Sequence, residues 1–515
     1  MHQPGNTGKL KRNMGLFLLI PVVLVGINVG AQAQLRLAKI FTDNMMLQRD
    51  RPICVWGKAI PGIPVSVTFA QQEKTAWANP DSSWRLYFNA QGATHAPQHL
   101  TVVSGGERVI VKNILIGDIW LCIGQSNMEW PMIREEHYPA EKYTTLPSLR
   151  FFNPTYAGKN VFGRPFTDSV IRQLNGEDFY KGAWQPCDSA SLKTMSAVAY
   201  YFGKKITTTT QIPIGLINLA IGGAPLETFI APDAFLQSKQ FATKLQGDWL
   251  KNNNLPVWAR ERGQTNIGSK NQVASDEYGK NHAYKPGFAF KAGIGPLLQF
   301  PIKGILNYQG ESNAQEMERV EEYNALSELL VNDYRQKWKE NLPYYFVQLS
   351  SIDTLQYNGR LWPEFRNEQR KLLAKIPNCG MAVCSDIGAR NDVHPTNKKA
   401  VGERLARWAL HNNYSQKMVP GGPLPIRAVY ARGKVVITFR YIANGLKSSD
   451  GGLPKGFSLD GLHKAEAVIE KGNISIKTNG NRPEYVFYGW KPYSDGNLVN
   501  SENLPCSSFK LKIEK

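Results

Sequence analysis

The chain has 515 residues, 42% of them hydrophobic, with 12 tryptophans, which is too long for one ordinary domain and apolar enough for two or three packed cores. Its formal net charge of +19 is spread along the sequence, with a local basic cluster only at Lys9-Leu10-Lys11-Arg12. With no recognition helix or RNA-binding signature beside it, that charge speaks against nucleic acid as a partner and reads as solvated surface, with anionic glycans as the other attraction.

In chain order, the first expected element is a leader. Lys9, Lys11 and Arg12 form a basic region, Leu16 to Ile27 an apolar one, and Ala31-Gln32-Ala33 a small-residue cleavage site. Residues 1–33 are expected to be a signal peptide, giving a periplasmic or secreted protein with no stable membrane insertion after cleavage. The six cysteines lack framework spacing, and Cys122 and Cys384 read as buried thiols in apolar strands.

Residues 34–113 lack helical periodicity. Short strands such as Val65-Val67-Phe69 and Trp84-Leu86-Phe88 alternate between Gly/Pro/Asp turns, which predicts an antiparallel β-sandwich. From 114 to 415 strands alternate with amphipathic helices. Strands are expected near Ile116, Ile214, Ile302, Tyr344 and Met381, and helices over 197–207, 319–339, 362–376 and 398–411. This pattern predicts an α/β domain with a doubly wound parallel sheet. Residues 232–286 are polar and loop-rich and read as an insertion over the active-site edge, with Trp249, Trp258 and Tyr284 as candidate substrate aromatics or local packing. After Pro420-Gly421-Gly422-Pro423 the segment 424–515 turns β-rich again, either completing the first sandwich or forming its own sheet.

Chemistry-bearing residues cluster where predicted strands end. Gly124-Gln125-Ser126-Asn127 closes the run Ile116–Ile123, a place where a turn into a helix exposes a hydroxyl beside free N–H groups. Gly222-Gly223-Ala224-Pro225 follows Ile214–Ala220, Gln309-Gly310-Glu311-Ser312-Asn313 follows Ile302–Tyr308, and Asp386 to His394-Pro395 follows Met381–Cys384. In an open α/β sheet the carboxyl edge is where sites assemble. One Ser, one Asn, one His and several Asp residues there predict a serine hydrolase. No HExxH, paired CxxC or histidine cluster is present, so neither metal nor cofactor is expected.

These motifs resemble the SGNH/GDSL hydrolases and, within them, the sialate O-acetylesterase-like carbohydrate esterases. The residues that carry the resemblance are Gly124 to Pro131, Gly222 to Glu227, Tyr308 to Ala314, Asn391 to Pro395 and Val499 to Pro505. It implies a flavodoxin-like three-layer α/β/α catalytic domain flanked by β-sandwich segments. It also implies Ser126 as nucleophile, His394 as general base, and an oxyanion hole made by the Ser126 and Gly223 N–H groups and the Asn313 amide. Asp392 would orient His394, with a carboxylate oxygen expected within about 3.2 Å of Nδ1. The superfamily more often places its acid three residues before the histidine, where Asn391 stands, so Asp386 or a Ser-His dyad stays open. Ala224 and Asn307 also depart from residues that are frequent in the family, threonine and tryptophan. Gln125, Asn127, Gln309 and Glu311 are candidate substrate contacts.

The implied activity is removal of O-acetyl groups from an acetylated glycan, with 9-O-acetylated sialic acid first and acetylated xylan or pectin next. A non-catalytic glycan-binding protein on an esterase scaffold and a lipase or thioesterase are the competing classes. If His394 is the base, kcat/KM should fall as pH drops through the ordinary imidazole range.

Overall fold

The computed structural model describes residues 8, 34–353, 358–478, 480 and 482–514. The expected leader, residue 8 apart, lies outside the described residues. No helix among the described residues is long and apolar enough to cross a membrane. The fold is mixed α/β.

In the first segment, strands Pro64–Phe69 and Ser83–Phe88 place Val65, Val67 and Phe69, and Trp84, Leu86 and Phe88, on their buried sides. This is the period-2 pattern of a half-buried strand. The two strands belong to different sheets, and the rings of Phe69 and Phe88 meet edge-on at 5.7 Å between them.

Strand β1 (Glu107–Gly124) joins this segment to the next. Its first part pairs antiparallel with Thr94–Ser104, and its second part pairs parallel inside a larger sheet. Burial alternates up to Asn113 and is then continuous. Asn113 sits in the left-handed region (φ 56°), so the strand changes surroundings at an irregular residue. The domain boundary expected at 113/114 therefore falls inside one continuous strand.

The larger sheet adds β2 (Leu146–Phe152), β3 (Ile214–Asn218), β4 (Gly304–Tyr308), β5 (Tyr344–Gln348) and β6 (Cys379–Val383). The order is β2-β3-β1-β4-β5-β6, all parallel, with Trp184–Cys187 antiparallel on the outer edge of β2. Neither β2 nor that edge strand was expected. Strands β3, β4 and β5 are buried at every residue, as in a sheet covered on both faces. Cys122 and Cys384 are buried as expected.

Helices α1 (Ala197–Thr210), α2 (Met317–Trp338), α3 (Trp362–Lys375) and α4 (Lys398–Asn413) match the expected spans to within a few residues. α1 packs on α4, and α2 on α3. Gly402 allows the first contact, because a Cβ there would press on the Val198 carbonyl. From β1 the chain first builds β2 and β3 on one side and then β4, β5 and β6 on the other. β1 is thus the point where strand order reverses, and in open α/β sheets the carboxyl end of that strand is where sites assemble.

The C-terminal segment forms its own seven-stranded sheet around Val435, Ile437, Phe439, Ile474, Ile476 and Phe509, which settles the alternative left open by sequence. It is tied to α3 through the fully buried Arg366, which donates to the carbonyls of Gly489 and Lys491.

Candidate active site

Ser126 is the first residue of a short helix, Ser126–Glu129, directly after β1. The turn that places it depends on Gly124, whose φ is +130° and whose missing Cβ would overlap the Tyr308 carbonyl at the end of β4. The Gln125 N–H donates to that same carbonyl at 3.0 Å, so the carboxyl ends of β1 and β4 are locked side by side.

His394 arrives from the loop after β6. Its Nε2 lies 2.7 Å from Ser126 Oγ. The imidazole stacks on Trp130, with ring centroids 5.1 Å apart and planes 20° from parallel. In the neutral tautomer that lets Nε2 accept from the serine hydroxyl, Nδ1 carries the proton and faces Asp392. That contact is 3.5 Å, longer than the 3.2 Å expected, and Asp392 Oδ1 instead accepts the backbone N–H of His394 at 2.8 Å. Asp386 is engaged elsewhere: both its oxygens pair with Arg404, at 2.7 and 2.6 Å.

The Gly222-Gly223 peptide follows Ile221, whose N–H donates to the Gly124 carbonyl at 3.0 Å, and is clamped from several directions. Tyr156 OH accepts the Gly222 N–H at 3.0 Å and Tyr284 OH donates to the Gly222 carbonyl at 2.6 Å. Trp258 Nε1 and Ser312 Oγ both donate to the Gly223 carbonyl, at 3.2 and 2.9 Å. Gly223 has φ +75°, and a Cβ there would collide with the Tyr284 hydroxyl. Among the described residues the N–H groups of Ser126 and Gly223 have no protein acceptor, which leaves both free for an incoming carbonyl oxygen. Of the insertion aromatics, Trp258 and Tyr284 hold this loop, while Trp249 is packed with its indole N–H on the Lys280 carbonyl.

Asn313 is fully buried, with Oδ1 accepting from the Leu226 N–H (3.1 Å) and Gln309 Nε2 (2.7 Å), and Nδ2 donating to Glu227 Oε2 (3.0 Å). The four expected substrate contacts need correction. Gln125, Asn127, Gln309 and Glu311 are all at most 3% exposed and bond to their own surroundings. Gln125 Oε1 accepts from Gln309 Nε2 and from the N–H of Ser312. Asn127 Nδ2 donates to Glu311 Oε1 and to the Val393 carbonyl, next to His394. These side chains brace the loops that carry Ser126, Asn313 and His394.

Sequence reasoning missed Lys398, the first residue of α4. It is fully buried, donates to Asn127 Oδ1, and lies 5.5 Å from the Trp130 ring and 5.7 Å from the Tyr308 ring. Burial pushes its pKa down to about 7, against the opposing pull of Glu311. Burial likewise raises the Glu311 carboxyl to about 7. His394 is lowered to about 4, first by burial and then by the nearby Lys398 ammonium. Nothing in the local sequence separates Lys398 from Lys399, which stays on the surface and pairs with Glu403.

The chain is similar to known carbohydrate esterases. The profile of a carbohydrate esterase family, described as sialic acid-specific acetylesterase, matches residues 290–411. The sialate O-acetylesterase of Rattus norvegicus is 26% identical over 453 residues, covering 80% of each chain, and that of Mus musculus is 27% identical over 474 residues, covering 82% of each. The crystal structure of a carbohydrate acetylesterase from Xanthomonas citri superposes with a TM-score of 0.75 at 28% identity, over 92% of this chain and 99% of that one. Fold, site and likeness together define a carboxylic ester hydrolase. Within that class the chain is similar to the sialate O-acetylesterases and to a carbohydrate acetylesterase.

Proposed function

We propose that the chain is a serine O-acetylesterase of carbohydrates on an SGNH, flavodoxin-like three-layer scaffold, reacting through an acetyl-Ser126 intermediate. The observation that carries this is the 2.7 Å contact between Ser126 Oγ and His394 Nε2, beside two unengaged N–H groups at the sheet's reversal point. A serine hydroxyl is a weak nucleophile until a base takes its proton, and a neutral imidazole does so. Ser126 Oγ attacks the acetyl carbonyl as His394 accepts the proton. The carbonyl oxygen gains negative charge, which the N–H groups of Ser126 and Gly223 and the Asn313 amide stabilise. His394 returns the proton to the departing sugar hydroxyl. Water, deprotonated by the same imidazole, attacks the acetyl carbonyl carbon, and the imidazolium returns that proton to Ser126 Oγ as acetate leaves. No step needs a metal.

Acetylated sialic acid is the first substrate in this reading. The support is the acid-sugar chemistry named for the relatives, together with two guanidinium groups on the rim. Arg134 lies 5.7 Å from the Trp130 ring centroid. Arg262 is held between Trp258 and Phe162, 4.5 and 5.3 Å from their rings. Neither has a carboxylate partner among the described residues. The exported location belongs to this reading too, since acetylated glycans are met outside the cytoplasm. Acetate release from 9-O-acetylated sialic acid should exceed that from acetylated xylan, and acetyl esters should outpace butyryl and longer esters. Faster turnover of xylan would move the substrate to plant polysaccharide, and faster turnover of long acyl chains would favour a lipase.

Two further expectations follow from the geometry. The acid limb of kcat/KM should not lie in the ordinary imidazole range. Because burial and Lys398 disfavour the charged imidazole, His394 stays a competent base until the pH nears about 4. The wild-type profile should then be level between about pH 5 and 8. Lys398→Met removes a cation and should move the limb upward by about half a unit or more. An unmoved limb would remove Lys398 from the account. For the orienting acid, Asp392→Asn should lower kcat by more than Asp386→Asn, whose main effect should be a lower Tm through the lost Arg404 pair. Equal, mild losses in kcat would mean that Ser126 and His394 work as a dyad.

A further inference from the structure

Glu227 belongs to the Gly222–Glu227 motif, yet no chemical step uses it. It is completely buried, and so is its partner Lys244, which is 2% exposed and comes from the insertion. Burying two charges is costly unless each is paired and hydrogen-bonded, so such a pair under a reaction centre calls for a reason.

That reason lies in the Asn313 amide. Its Oδ1 already accepts two hydrogen bonds, from the Leu226 N–H and from Gln309, which fixes which end of the amide carries the nitrogen. Nδ2 has two hydrogens. One goes to Glu227 Oε2 at 3.0 Å, and the direction of the other is thereby set. The carboxylate is thus a clamp on the rotation of the amide.

A bare carboxylate in this place would also oppose the negative charge that develops on the substrate oxygen. Lys244 answers that. Its Nζ donates to Glu227 Oε1 (2.9 Å), to the Asn254 carbonyl (2.8 Å) and to Glu322 Oε1 (2.6 Å), and Arg319 pairs with the same Glu322 oxygen at 2.9 Å. Two carboxylates and two cations form a closed, formally neutral group. Burial opposes ionisation of Glu227, but Lys244 and the Asn313 amide more than offset it, and the group's pKa falls below the ordinary carboxylate value.

We propose that Glu227 and Lys244 are positioning residues for the reaction: Glu227 aims the second N–H of Asn313 at the oxyanion, and Lys244 cancels the charge that this aim would otherwise bring. The insertion over 232–286 is then part of the catalytic apparatus, because it supplies Lys244. The inference rests on the reading of Asn313 as an oxyanion donor.

The test is a double-mutant cycle on 4-nitrophenyl acetate. Asn313→Ala should lower kcat roughly 10²–10³-fold with KM changing less. Glu227→Leu, which removes the acceptor for Asn313 Nδ2, should lower kcat about tenfold or more with KM within about twofold, and should add less than about twofold when Asn313 is already alanine. Lys244→Met should lose kcat most at high pH and regain it as the unpaired Glu227 takes a proton, whereas Lys244→Arg should keep most activity. If Glu227→Leu does not fold, Glu227→Asp, which keeps the charge but shortens the reach, carries the same cycle. A silent Asn313→Ala would overturn the oxyanion reading and this proposal with it. A costly Asn313→Ala combined with a Glu227 effect that is absent, or equal in both backgrounds, would overturn this proposal alone. A Lys244→Met loss that does not vary with pH would contradict the charge-cancelling role.

Discussion

Replacing Ser126 with alanine is expected to lower ester hydrolysis by roughly 10⁴–10⁶-fold while leaving the fold intact. The two halves of this expectation have separate causes. Ser126 is half-buried at the mouth of the site, and its hydroxyl bonds only to His394 among the described residues. Losing one such bond at a half-buried position costs about 0.5–1.5 kcal/mol, so Tm should move by only a few degrees. The activity loss is large because, among the described residues, Ser126 Oγ is the hydrogen-bond partner of His394 Nε2. Hydrolysis of 4-nitrophenyl acetate by the purified variant, with a thermal melt beside it, checks both halves. A folded variant that keeps activity near wild type would remove the covalent mechanism.

His394→Ala should be nearly as severe, roughly 10⁴-fold or more. Without the imidazole the hydroxyl has no base and the sugar leaving group no acid. The decisive comparison is the double variant. Residues that act as one unit lose their function together, so Ser126→Ala/His394→Ala should be no slower than either single variant. Multiplying losses would mean that the two residues act independently, contrary to the 2.7 Å contact. Loss of the stack on Trp130 should leave that indole more exposed, which its fluorescence would report.

The sheet was legible where strands are continuous apolar runs. Ile214–Asn218, Gly304–Tyr308 and Tyr344–Gln348 are buried at every residue, and their sequences say so. Strand Leu146–Phe152 was missed because Pro147, Ser148 and Arg150 break its apolar run, and Arg150 is nonetheless buried. The meeting of Ser126 and His394 followed from a rule of topology, since both lie on segments that leave the carboxyl ends of parallel strands. What sequence hid was the layer beneath. Nothing in the sequence marks Glu227, Lys244 and Lys398 as buried, and their burial depends on partners distant along the chain. Lys244 meets Glu322 78 residues away, and Lys398 meets Asn127 271 residues away. The same blindness misassigned Gln125, Asn127, Gln309 and Glu311. Being next to the nucleophile in sequence does not decide whether a side chain points to substrate or into the protein, and here all four point inward.

The acetyl-enzyme itself is the most direct test of the central claim. Wild-type protein mixed with excess 4-nitrophenyl acetate, quenched in acid within the first turnover and digested, should yield one acetylated peptide. Fragmentation should place the acetyl group on Ser126, and the same peptide from Ser126→Ala should be unmodified. An acetyl group on a different residue in the wild type, or turnover with no acetylated peptide at any quench time, would contradict the account.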